Sequence, residues 1–371
     1  MSASPQGLTF NPHVAALPPY NAGINVAIAR ATSGRDDIAR LASNENPEGC
    51  SPAVMQALAS SAFEPWRYAD PACTALRAKL AARLGVDAAQ IVVGNGSEEM
   101  IAAVSRAVLI AGRQVLTVVP SFGLHEIEPL AIGATVRKLP MTADFGFDLD
   151  ALEQAMAAAP AIVFLSSPWN PVGPALSAAD LQRVVAAVQP GSLLVLDEAY
   201  FEYADPGSVD GLELLKTSGL PFVVLRTFSK AYGLAGLRVG YAVCSDAEIA
   251  RVMGSAKTPF NVNAAAQLAA VAALDDEAWM RASVARLRTE RARVAAGLKA
   301  LGLRVADSQT NFLFFECRSD SAEQAAALLR QGIIVKAWRE AGYERFMRAT
   351  IGSAHENDRL LAALAVLNPA A

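Results

Sequence analysis

Cysteine and histidine are both scarce in this chain of 371 residues. The four cysteines (Cys50, Cys73, Cys244 and Cys317) are scattered and include no CxxC pair. That excludes a disulfide framework and suggests free thiols in a reducing, cytoplasmic setting. The three histidines (His13, His125 and His355) stand nowhere at ligand spacing, which argues against a zinc site. Charge of one sign is also missing. Thirty-two basic residues face 36 acidic ones for a net −4, so neither a nucleic-acid footprint nor a basic membrane patch is expected. No apolar run approaches a membrane span, and the 53% hydrophobic content reads as a large, alanine-rich core. Residues 1–10 lack the basic-then-apolar pattern of a secretory signal. A GxxxxGK[ST] motif is absent as well, which sets aside a P-loop nucleotide enzyme.

What is present reads as an α/β protein. A chain this long is expected to divide into two domains. Residues 1–50, rich in Pro, Gly and Asn, read as an extended arm that completes part of a smaller domain. Between 51 and 275, short Val/Ile/Leu-rich runs alternate with helical patterns. Strands are expected at 91–93, 115–119, 135–139, 162–165, 193–196, 222–225 and 237–243. Helices are expected after Ser51-Pro52 and at 97–110, 122–132, 149–159 and 178–188. That alternation predicts a mostly parallel, seven-stranded sheet covered on both faces, with ligands at the carboxyl ends of its strands. Residues 276–371 form a smaller α+β domain, with one long helix at 276–301, then strands at 311–316, 333–335 and 347–351 between helices at 322–331 and 355–367.

Chemistry gathers at those strand ends. The run at 222–225 leads into Arg226-Thr227-Phe228-Ser229-Lys230, with Arg238 eight positions on. A lysine beside two hydroxyls and a guanidinium suits imine formation with a phosphorylated aldehyde, although an exposed loop lysine has the same local spelling. After Val93 comes Gly94-Asn95-Gly96-Ser97-Glu98-Glu99, a turn opening a helix. It suits one phosphate, but a dinucleotide fingerprint wants glycine at position 99. Asn170 follows the next strand in Pro168-Trp169-Asn170-Pro171, and Asp197 ends an all-apolar run three residues before Tyr200. A carboxylate at such a place wants a cation, and a protonated pyridine nitrogen serves. One ligand, pyridoxal 5′-phosphate, would use all of these: Lys230 for the imine, Asp197 for the ring nitrogen, Asn170 and Tyr200 for the ring oxygen, and Gly96, Ser97, Glu98, Thr227, Ser229 and Arg238 for the phosphate.

The order Asn170, Asp197-x-x-Tyr200, Ser229-Lys230 and Arg238, with Met347-Arg348-Ala349-Thr350-Ile351-Gly352-Ser353 near the end, resembles the fold type I pyridoxal-phosphate aminotransferases of class I/II. The wording of the motifs is most similar to the histidinol-phosphate aminotransferases, over nearly the whole chain. The resemblance implies that residues 51–275 bind the cofactor and that Lys230 carries it and shuttles the substrate's α-proton. Asp197 would keep the ring nitrogen protonated, with Phe122 stacked on the ring. It implies Arg348 on the substrate carboxylate, Lys336 near a substrate phosphate, and Tyr20 and Asn46 in the arm that covers the substrate. Tyr68 would reach a partner subunit's phosphate, which implies a homodimer with shared active sites.

The implied reaction is transamination between L-histidinol phosphate and 2-oxoglutarate in histidine biosynthesis. Two positions depart from the family pattern: Lys336 stands where arginine is common, and Trp169 where asparagine is common. With Trp338 nearby, they leave aromatic amino-acid transamination open as an alternative. A pyridoxal-phosphate decarboxylase of a phosphorylated amino acid shares the fold. A transcription regulator with an aminotransferase-like domain would need a DNA-binding module that the first fifty residues do not supply.

Overall fold

The computed structural model describes residues 7–18, 23–60 and 64–368. In chain order its strands are β1 (Ala39–Arg40), β2 (Ile91–Gly94), β3 (Gln114–Val119), β4 (Thr135–Pro140), β5 (Ile162–Ser166), β6 (Leu193–Asp197) and β7 (Phe222–Thr227). They continue with β8 (Gly240–Cys244), β9 (Arg304–Val305), β10 (Phe312–Glu316), β11 (Ile333–Ile334), β12 (Lys336–Ala337) and β13 (Phe346–Thr350). Seven make the main sheet in the order β2-β8-β7-β6-β5-β3-β4. Only β8 runs against the others, being antiparallel to both β2 and β7. Every residue of β5, β6 and β7 is buried, as continuous apolar runs demand when helices cover both faces. Helices Ser97–Val108 and Ala247–Ala256 help close one face over Met100, Val104, Phe164 and Val223. On the other face Leu152, Leu165, Leu181 and Val224 join a larger core that runs on into the second sheet.

Local chemistry sets the element ends. Ser177 caps helix Ala178–Ala187 in a reciprocal pair with Asp180, and Ser51 caps Pro52–Ala59. Gly85 takes φ 61° and stops Thr74–Leu84. Helix Glu277–Ala300, about 36 Å long at 1.5 Å per residue, leads from the main sheet to the second, β12-β13-β10-β9, which is antiparallel throughout.

Three expectations need correction. Of residues 1–50, expected to be extended, 39–46 are packed: β1 pairs with β11, Leu41 is fully buried, and Asn44 is held by Thr350 and Asn311. Pairing with a distant strand satisfies that backbone, which Pro/Gly/Asn composition cannot reveal. The strand expected at 237–243 starts only at Gly240, because Arg238 adopts a left-handed φ of 61° after a short 3-10 turn. The strand expected at 333–335 ends at Ile334 as β11, and past Val335 the chain enters a different sheet as β12. Among the described residues, no helix is long and apolar enough to cross a membrane.

Candidate active site

Because β8 alone is reversed, the carboxyl ends of β2, β3, β5, β6 and β7 share one edge of the main sheet. A cavity of about 250 Å³ opens there, lined by Gly96, Ser97, Glu98, Phe122, Asn170, Asp197, Tyr200, Thr227, Ser229, Lys230 and Arg238. Eleven positions from five separated stretches thus converge. A second space of about 670 Å³ shares Glu98, Phe122, Asn170, Tyr200 and Lys230 with it and adds Lys336, Trp338, Glu340 and Arg348 from the second sheet.

One end of the smaller cavity is built for an anion. Gly96 precedes helix Ser97–Val108 without a side-chain cap, which leaves first-turn N–H groups to a ligand. The backbone must come close here: a Cβ on Gly240 would sit 2.4 Å from the Ser97 nitrogen, and one on Gly96 2.8 Å from Arg238 Nη2. Thr227 and Ser229 bring hydroxyls 3.1 Å apart. The Glu98 carboxylate lies 3.2 Å from Arg238 Nη2, so only its backbone N–H suits an anion. Two hydroxyls, a guanidinium and an uncapped helix start fit a phosphate group.

Asp197, buried at the end of β6, lines the same cavity. Its Oδ1 accepts from the Ala199 nitrogen (3.0 Å), and its Oδ2 lies 3.3 Å from His125 Nε2. A carboxylate only accepts, so the histidine donates from Nε2. Its Nδ1 is buried without a hydrogen-bond partner among the described residues. The imidazole is fully buried and stacks on Phe164 at 5.0 Å, which fixes the carboxylate's direction.

Lys230, three residues past β7, lines the cavity as well. Its Nζ donates to the Ser43 carbonyl at 3.2 Å and lies 5.9 Å from the Tyr200 ring centre. Burial first, then the positive charges of Arg348 and Arg238, lower its pKa from 10.5 to about 8. Asn170 accepts at Oδ1 from Arg348 Nη1 (2.7 Å), which turns its amide NH₂ the other way. The Tyr200 hydroxyl accepts from Asn44 Nδ2 at 2.7 Å.

The larger space carries cations. Arg348 on β13 sits opposite Lys336 on β12 in register, and its Nη2 donates to the Ala42 carbonyl at 2.6 Å. Burial, then Arg348, lower the Lys336 pKa. Trp169 does not line this space. It is fully buried and donates from its indole to the Pro120 carbonyl (2.6 Å), so it supports the loop before Phe122.

Two expected residues stand apart and one lies outside the described residues. Asn46 is a correction: its amide donates to the Ala231 carbonyl (3.0 Å) and Ser283 (3.1 Å) in the interior, and it lines neither space. Its neighbour Asn44 faces the site instead, because φ 56° at Asn44 turns the chain there. Tyr68 is 84% exposed and stacks on Phe260 at 4.6 Å, away from its own chain's cavity. Tyr20 is the one outside. Sequence reasoning missed His125 and Glu340, and reached Asn44 only as part of the Asn44-Glu45-Asn46-Pro47 segment expected to cover the substrate. For His125 the available signal was its place three residues after Phe122, at the start of a helix.

The comparisons agree with this geometry. The family model described as aminotransferase class I and II matches residues 36–364. Histidinol-phosphate aminotransferase 3 of Rhizobium meliloti is 45% identical over 352 residues, covering 95% of each chain. Histidinol-phosphate aminotransferase 2 of Caulobacter vibrioides is 41% identical, covering 93% of this chain and 90% of its own. The crystal structure of histidinol-phosphate aminotransferase from Sinorhizobium meliloti in complex with pyridoxal-5′-phosphate superposes with a TM-score of 0.88 at 29% identity, covering 96% of this chain and 97% of that one. With a family match over most of its length and an active-site edge of the same chemistry, the chain belongs to the class I and II aminotransferases.

Proposed function

We propose that this aminotransferase uses pyridoxal 5′-phosphate to move the amino group of L-histidinol phosphate to 2-oxoglutarate, giving imidazole-acetol phosphate and L-glutamate. The observation that carries the reading is the convergence of Lys230, Asp197 and an anion cradle on one sheet edge, with Arg348 and Lys336 facing them. Bound there, the cofactor supplies an aldehyde for the donor amine and a protonated ring that draws electrons from the donor's α-carbon.

The chain's residues do the rest. The Lys230 amine would hold the cofactor and, when free, would carry the proton from the donor's α-carbon to the cofactor's C4′ carbon. In the cofactor-free protein a pKa near 8 leaves roughly a tenth of that amine neutral near pH 7 and ready for attachment, against roughly one part in three thousand for an ordinary lysine. Asp197, oriented by His125, holds a proton on the ring nitrogen. The Asn170 amide and the Tyr200 hydroxyl serve the ring oxygen. Gly96, Ser97, Glu98 (through its backbone), Thr227, Ser229 and Arg238 hold the phosphate, with Phe122 against the ring. Arg348 offers a planar fork for the carboxylate of 2-oxoglutarate and glutamate, and Lys336 a point charge for the donor's phosphate.

The same reading includes a division into residues 1–50 with part of the smaller domain, 51–275 as the cofactor-binding domain and 276–371 as the small domain. The pairing of β1 with β11 supports the first assignment. It includes a cytoplasmic homodimer, to which Tyr68 contributes across the interface; its 84% exposure away from its own site supports that role. Transamination of aromatic amino acids is the second reading, favoured by Trp338 in the substrate wall.

Specificity constants for histidinol phosphate and phenylalanine, with the half-reactions followed by absorbance, decide between the two. A tenfold or greater advantage for histidinol phosphate is expected. Release of carbon dioxide without formation of the amine form of the cofactor would refute transamination itself.

A further inference from the structure

Glu340 lies just past β12 in the wall of the larger space, where the scheme above gives it no task. One carboxylate oxygen, Oε2, accepts two hydrogen bonds: from the Trp338 indole Nε1 at 2.8 Å and from the Ser121 backbone nitrogen at 3.1 Å. The two donors belong to different sheets. Trp338 continues the edge of the second sheet, its nitrogen bonded to the Phe346 carbonyl and its ring edge-on to Phe314 at 6.1 Å. Ser121 sits in the loop after β3, next to Phe122, with its hydroxyl on Glu126 (3.0 Å) and Glu126 in turn on Lys138 (2.9 Å). A single oxygen therefore spans the cavity between the aromatic wall of the second sheet and the loop that carries Phe122. Trp338, Ser121 and Phe122 all line the same space.

We propose that Glu340 is a positioning residue for the amino donor: by tying Trp338 to the Ser121–Phe122 loop it sets the width of the cavity between two aromatic walls and selects donors with a planar ring over acyclic ones. The inference rests on the aminotransferase reading and adds the residue through which the side chain is read. Bonds to a carboxylate are short and directional, so they hold an indole that packing on one face alone would let turn. A glutamine in its place still has one oxygen for both donors. An alanine has none, and it separates the wall from the loop.

Glu340→Ala and Glu340→Gln are compared with the natural enzyme, loaded with pyridoxal phosphate, using histidinol phosphate, phenylalanine and glutamate as donors. Trp338 emission is read in the cofactor-free protein as the difference from Trp338→Phe. Alanine is expected to raise the KM of both ring donors about tenfold relative to that of glutamate, the size of one charge-assisted bond. It is also expected to move Trp338 emission to longer wavelength, and glutamine to recover most of both effects. An equal loss for all three donors, or an emission unmoved by alanine, overturns the proposal. If the natural enzyme transaminates glutamate but neither ring donor, the donor assignment falls, and the emission shift alone then upholds or overturns the tie between wall and loop.

Discussion

Replacing Lys230 with methionine should stabilise the cofactor-free protein at neutral pH. The fold disfavours the ammonium: burial, then Arg348 and Arg238, bring its pKa from 10.5 to about 8. At roughly 1.4 kcal/mol per pH unit, that difference costs at most about 3.5 kcal/mol in the charged form. Between about pH 8 and 10.5 the unfolded chain binds the proton that the folded one has lost. Stability therefore rises with pH across that window, and the full cost is present below it. Methionine has nearly the same length without the charge, so Lys230→Met removes the cost. Urea unfolding of both proteins, cofactor-free, near pH 7 and pH 10 reads the effect. The variant should be more stable by about 1–3 kcal/mol at the lower pH, with the gap closing towards the upper one. The rate at which pyridoxal phosphate attaches to the natural protein should rise tenfold per pH unit up to about 8 and then level. A variant less stable than the natural protein by the same amount at both pH values, or a rate still climbing above pH 9, would refute the electrostatic account.

Three further outcomes are expected. Asp197→Ala should still take up the cofactor but slow deuterium wash-in at the substrate's α-carbon at least a hundredfold, read by NMR or mass spectrometry. Lys336→Ala should raise the KM for histidinol phosphate about tenfold more than that for phenylalanine; equal effects would mean that this lysine does not read phosphate. Glu198→Ala should cost about 3–5 kcal/mol in urea unfolding. Glu198 is buried against Arg226 at 2.7 Å and also accepts from the Gly211 nitrogen, so its loss leaves a buried guanidinium without its closest carboxylate.

The main sheet and its active edge could be read from the chain because both rest on local rules. Runs such as Ile162–Ser166 and Leu193–Asp197 are apolar throughout, and the polar residue that ends each one marks where the sheet meets its ligand. Ser177, Ser51 and Gly85 announced helix ends by cap chemistry alone. Lys230, Asp197 and Asn170 were legible for the same reason, since each ends or follows an apolar run, and Arg238 because it stands at the head of the next one. Long-range partners were not. Nothing near Asn44 or Asn46 in the chain says that the first meets Tyr200 while the second turns inward to Ser283, because that choice depends on β1 pairing with β11 nearly three hundred residues away.

The identity of the reacting groups and their order along the chain were therefore written in residue types and spacing. Their electrostatic setting was not. The amine of Lys230 acquires its low pKa from burial and from Arg348, which only the packing of β13 beside the main sheet brings near. His125 became the support of Asp197, and Glu340 the tie between Trp338 and Ser121, when separate elements closed on one another. Backbone propensity acts over a few residues, whereas charge and hydrogen bonding act through space. Which groups feel one another is settled only when the chain has folded.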